Sequence, residues 1–128
     1  MSVEALLTIL DSEEMHTPVI QTLVNDNFSS LTELVNESEI INYFTLMDTL
    51  LYNIKIENKE SLFTFLNLVV KRILREIGSN NDTKENYIDS CFQIIKSTLT
   101  GQNKETIIEK ETTFENMITP IVNYIANP

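Results

Sequence analysis

Apolar residues recur every three or four positions along nearly the whole chain, and polar clusters interrupt them at short intervals. Val3 to Leu10 predicts a first helix with Ser2 as its cap, and "DSEEMHTP" interrupts it. Thr17 and Pro18 predict the next start: a hydroxyl can accept the first free amides, and proline at the first helical position lacks only a donor that would be orphaned. Val19, Ile20, Leu23 and Val24 share one face, and "NDN" (25–27) predicts its end. Ser30 with Glu33, Asn36 with Glu39, and Asp82 with Glu85 each have the spacing of a capping box. They predict a short helix from Ser30, another over 37–52 with the stripe Ile40, Phe44, Met47 and Leu51, and a third carrying Ile88, Cys91, Phe92, Ile95 and Leu99 as far as Gly101.

The strongest pattern lies between Asn58 and Gly78. At about 100° per residue, Leu62, Leu66, Val69, Val70, Ile73 and Ile77 fall on one arc, and Thr64, Asn67, Lys71 and Arg75 fall opposite. Phe63, Phe65 and Leu74 widen the arc beyond what one neighbour can cover, which predicts a central helix packed on two sides. A last helix is expected from Asn103 through Ile107, Ile108, Phe114, Met117 and Ile118, broken or kinked at Pro120 before a closing "PIVNYIA". Gly78 and Gly101 sit where helices end and a left-handed residue is favoured. No strand pattern survives, so the fold class expected is all-α: one multi-helical domain of six or seven helices over residues 1–128.

The alternation of short and long apolar helices with short polar turns resembles the terminal repeats of HEAT or armadillo-like proteins, most of all in "DNFSSLTELVNESEIINYF" (26–44). The resemblance is architectural and rests on no specific motif. It implies a stack of helix pairs acting as a scaffold or adaptor, while an irregular helical bundle accounts for the same pattern. "MHTPVIQTLVN" from Met15 and "MITPIVNYIAN" from Met117 echo one another, as a shared capping solution or as a decayed repeat.

Charge changes the picture more than composition does. Residues 1–54 hold nine acids and no Lys or Arg; residues 55–128 hold ten acids against nine bases, and the whole chain carries −10. That distribution argues against a nucleic-acid or anionic-membrane partner, both of which call for a basic surface. It points to a protein partner with a basic face, steered to Asp11, Glu13, Glu14, Glu33, Glu37 and Glu39. The bland alternative is a solubilising surface. No leader or membrane-spanning run is read, and one cysteine fits a reducing compartment, so an intracellular setting, cytoplasmic or nuclear, is expected.

Candidate chemistry is sparse. One Cys (Cys91) and one His (His16) cannot assemble a structural zinc site, and two isolated glycines make no phosphate loop. Cys91 lies on an apolar stripe and reads as a core thiol. No cofactor, metal site or catalytic residue is expected. The leading expectation is a non-catalytic protein-interaction domain; the alternatives are a small regulator or accessory subunit of an enzyme, and a small helical enzyme whose pocket has no sequence signature. Thr17 and Thr119, each before a proline, are candidate phosphorylation sites at helix caps, where a phosphate would meet the positive end of the dipole. Finally, "KRILREIGSN" (71–80) gathers three cations in the last turns of the central helix. They suit the helix dipole there, with Lys71 and Arg75 on the wet face and Arg72 within reach of Glu76.

Overall fold

Asn58 accepts a hydrogen bond from the Ser61 amide at 3.0 Å and opens a helix that runs without interruption from Lys59 to Ile77. In the computed structural model, which describes residues 3–12 and 17–126, it is the fourth of seven α-helices. These are α1 (Val3–Ser12), α2 (Pro18–Thr32), α3 (Ile41–Asn53), α4 (Lys59–Ile77), α5 (Lys84–Thr100), α6 (Lys104–Glu109) and α7 (Glu111–Ala126), with a 3-10 turn at Glu33–Asn36. There is no strand among the described residues. The all-α expectation holds, and α4 is central: it packs against α2, the 3-10 turn, α5 and α7. Its residues Leu62, Phe65, Leu66, Val69 and Ile73 are all sealed in one apolar cluster.

Neighbouring helices are related in a way that sequence order does not suggest. α3 packs chiefly along α5, and the contacts advance together. The Tyr87 hydroxyl donates to the Glu39 carbonyl just before α3, the Ser97 hydroxyl meets the Asp48 carboxylate, and the Gln102 amide donates to the Tyr52 carbonyl at the far end. α3 and α5 therefore run parallel. α2 and α4 do the same: Asn25 reaches Lys55 and Glu57, Phe28 meets Phe65 edge-on at 5.7 Å, and Val35 beyond α2 reaches Arg72.

Between α3 and α4 the chain is extended, with Ile54 and Ile56 buried and Lys55 and Glu57 exposed. Two asparagine side chains take the place of neighbouring strands. Asn103, fully buried, donates to Leu51 and Ile54 carbonyls and accepts from the Ile56 amide, each at 2.9 Å. Asn25 accepts from the Glu57 amide at 2.8 Å and donates to the Lys55 carbonyl at 3.1 Å. Each amide supplies both donor and acceptor, so the buried backbone between two helices is left satisfied.

Several expected boundaries shift. Asn25 and Asn27 do not end α2; their amides bond back to the Gln21 and Leu23 carbonyls, and the helix continues through Ser30 to Thr32. Ser30 is thus inside a helix rather than capping one. Asn36 and Glu39 form no box either: α3 starts at Ile41, with no side-chain cap at Ile40. α5 begins at Lys84 without a cap from Asp82, while Asn81 accepts from both the Thr83 amide and hydroxyl. The expected final helix is two, α6 and α7, and Pro120 lies inside an unbroken α7. Ile40 and Phe92, expected on buried stripes, are exposed, and Ile94 is buried instead. The Ser2 cap lies outside the described residues.

Neither glycine is left-handed: no described glycine has a positive φ. Gly78 keeps a helical φ of −81°, and a Cβ there would meet only the Leu74 and Arg75 carbonyl oxygens at an ordinary 3.8 Å. Gly101 is required for another reason, since a Cβ there would lie 2.4 Å from the Tyr52 carbonyl oxygen and 2.6 Å from its Cα. The turn into α6 thus passes directly over the end of α3. Gly101→Ala is expected to lower stability by ~1–3 kcal/mol through this backbone collision, whereas Gly78→Ala raises it by ~0.4–1 kcal/mol by restricting the unfolded chain. Leu66→Ala, at the middle of α4, should cost ~2–5 kcal/mol. Urea unfolding of the three variants checks all of these, and a wild-type curve for Leu66→Ala would remove α4 from the centre of the core.

Candidate functional site

Of the three cations near the end of α4, Lys71 and Arg75 face solvent as expected, but Arg72 does not. Its side chain is 0 % exposed. Helical spacing gives the reason: Phe65, Val69, Arg72 and Glu76 form one stripe at intervals of four, three and four, bordering the apolar arc. Arg72 is therefore carried inward beside Val69, and the cluster does more than offset the helix dipole.

The buried guanidinium is held through two of its three nitrogens. Nε donates to Glu76 Oε1 at 2.8 Å, and Nη1 donates to the Val35 and Ser38 carbonyls at 2.9 and 3.0 Å. Its plane lies near two aromatic rings, 5.3 Å from the centroid of Phe44 and 4.6 Å from that of Tyr87. Planar, weakly hydrated and rich in donors, a guanidinium tolerates such a site where an ammonium would not. Nη2 has no hydrogen-bond partner; the nearest anion is Glu39, with Oε2 at 3.6 Å and a side chain 62 % exposed.

This cage anchors the stretch between α2 and α3. Arg72 grips Val35 and Ser38, the Tyr87 hydroxyl donates to the Glu39 carbonyl at 2.8 Å, and the Ile40 amide donates to Ser38 Oγ at 3.2 Å. The Tyr43 hydroxyl donates to the Leu31 carbonyl at 2.7 Å, closing the end of α2. Burial raises the pKa of both phenols, with the neighbouring Glu39 adding to the effect at Tyr87, so they remain donors throughout the physiological range. Burial likewise pushes the Cys91 thiol up to about 12, despite the opposing Arg72 charge, and fits it to its place in the core.

The residues expected to meet a partner are distributed as follows. Glu33, Glu37 and Glu39 come together on this one anchored stretch, all exposed. Asp11 is exposed on α1, a separate element, and Glu13, Glu14 and His16 lie outside the described residues. Thr17 caps α2 as expected, accepting from the Ile20 amide at 3.3 Å. Thr119 is no cap; it lies within α7 and its hydroxyl donates to the Glu115 carbonyl. The two Thr-Pro pairs thus occupy unlike places in the fold, which leaves their sequence echo without a structural counterpart.

Two shallow clefts flank the exposed Glu60–Thr64 edge of α4. One of about 250 Å³ faces α2 and is lined by hydroxyls and amides such as Ser29, Asn58 and Ser61. The other, about 420 Å³, faces α7, with Phe63 and Met117 at its wall and Lys110 beside it. The Lys59 ammonium pairs with Glu109 at 2.5 Å and lowers the pKa of that carboxyl. No cluster of three or more His, Cys, Asp or Glu placed to hold a metal occurs among the described residues, and no helix of the described residues is long and apolar enough to cross a membrane. No protein-family model matches the chain, and neither a curated protein nor a solved structure matches it.

The cage makes a direct prediction. Arg72→Ala leaves the buried Glu76 carboxylate with only its 3.5 Å contact to Arg75 and frees two carbonyls, and should cost ~3–5 kcal/mol. Glu39→Ala, which removes only the exposed outer carboxylate, should cost under ~1 kcal/mol. Equilibrium urea unfolding of both variants checks the ranking; equal effects would mean that the cage does not anchor the stretch.

Proposed function

We propose that this chain is a non-catalytic protein-binding domain, a scaffold or adaptor unit that receives the basic surface of a partner on its acidic N-terminal half. The observation that carries the reading is the state of the carboxylates there. Asp11, Glu33 and Glu37 are exposed and no ion pair among the described residues engages them, and the first Lys or Arg in the chain is Lys55. Carboxylates displayed without internal cations keep their full field for an incoming positive surface. In Glu33 and Glu37 that field is borne by a stretch that Arg72 already holds, so little ordering remains to oppose association.

The parallel neighbours, α2 with α4 and α3 with α5, support the finer reading that helix pairs are stacked as in HEAT or armadillo repeats. In such a stack each pair buries its apolar face only against the next. Partner binding then belongs to surface residues of successive pairs rather than to an enclosed pocket.

Charge reversal separates binding from mere solubility. With a partner recovered by affinity capture, association of the wild type should slow steeply between low and physiological ionic strength. E33K/E37K should slow it further at low salt while leaving the circular-dichroism melt unchanged, since both side chains are exposed. Association of the double variant at the wild-type rate at low salt would overturn the proposal.

A further inference from the structure

We infer that the acidic surface takes its partner at the ridge Glu37–Ile41, and that the occupant is a cationic segment carrying an aliphatic side chain. This rests on the protein-binding reading above and narrows it to one place and one chemistry. Ile40 is 66 % and Ile41 39 % exposed, and two carboxylates, Glu37 and Glu39, precede them within three residues. An apolar pair beside two acids matches a segment that alternates Lys or Arg with Leu, Ile or Val; among the described residues Glu37 has no ion pair, and Glu39 has only the long one to Arg72 at 3.6 Å.

The exposed isoleucines and valine of α6 and α7 lack the combination. Val122 and Ile125 stand on α7, where no charged residue occurs between Asn116 and Ala126. Ile108 is exposed beside Glu109, but that carboxylate is already paired with Lys59. At the ridge the backbone is fixed beforehand by Arg72, Tyr87 and Ser38, so its side chains are presented by a rigid base. Arg72, wholly buried, directs Nη2 toward Glu39 without a hydrogen bond, 3.6 Å from Oε2. Glu39 is thereby kept near the ridge while its exposed carboxylate stays available to accept from an incoming ammonium or guanidinium.

Fluorescence anisotropy with labelled synthetic peptides tests this. One peptide alternates Lys with Leu, and a second alternates Lys with Ser. Wild type should bind Lys/Leu about tenfold more tightly than Lys/Ser, the worth of burying one aliphatic side chain. I40S should erase that difference, whereas I125S, which removes an equally exposed isoleucine (65 %) from an uncharged face, should preserve it. E37Q/E39Q should weaken both peptides, less so as salt rises. Circular dichroism of each variant confirms the fold. Equal wild-type affinity for the two peptides, or equal effects of I40S and I125S, would overturn the inference. If that happens while E33K/E37K still slows the captured partner, the acidic half binds elsewhere than the ridge; if charge reversal does not slow the partner, the wider reading fails whatever the peptides do.

Discussion

A charge that never meets solvent organises this fold. Arg72 lies at the meeting point of α4, α5, the start of α3 and the 3-10 turn after α2, and it satisfies groups from each. Desolvating a guanidinium is costly, and one carboxylate alone rarely offsets it. Here the cost is spread over Glu76, two carbonyls that no helix would use, and two aromatic faces. The arrangement is directional as hydrophobic packing is not. Apolar residues alone would let the 37–40 connection slide over α4, while three hydrogen bonds at fixed angles admit few registers. That the same connection carries exposed acids and isoleucines ties the interior to the surface: the cage determines how they are displayed.

Legibility in the sequence follows from which physical rule acts alone. α4 was readable because a long apolar period, an Asn cap and a terminal Gly all agree. The capping boxes were not, because Asn, Ser and Thr have two uses with the same letters. Their side chains cap a helix from outside or bond back to a carbonyl four residues earlier from within, as Asn25, Asn27 and Thr119 do. Only tertiary packing chooses between them. Pro120 stayed inside α7 because that position is solvent-exposed, so the carbonyl it leaves without an amide can turn to water.

For the site, exposure of Glu33, Glu37 and Glu39 follows from charge alone, but their assembly on one anchored stretch depends on Arg72. The signal was present in outline. Arg72 and Glu76 continue the Phe65–Val69 stripe, and a charged pair four residues apart on a core stripe is a candidate for burial as a unit. Asn103 had no such signal. It looks like any polar residue before a helix, and its role arises only when the start of α6 is carried against Leu51, Ile54 and Ile56, 47 to 52 residues away in sequence.

The parallel pairing of α3 with α5 has a consequence for how the chain acquires its structure. Most small helical proteins fold quickly because each helix meets its sequence neighbour first. α3 instead has its main contact surface two helices later, so Phe44, Met47 and Leu51 stay uncovered until α5 exists. During synthesis the ribosome must therefore deliver residues up to Thr100 before α3 can bury its main contact surface.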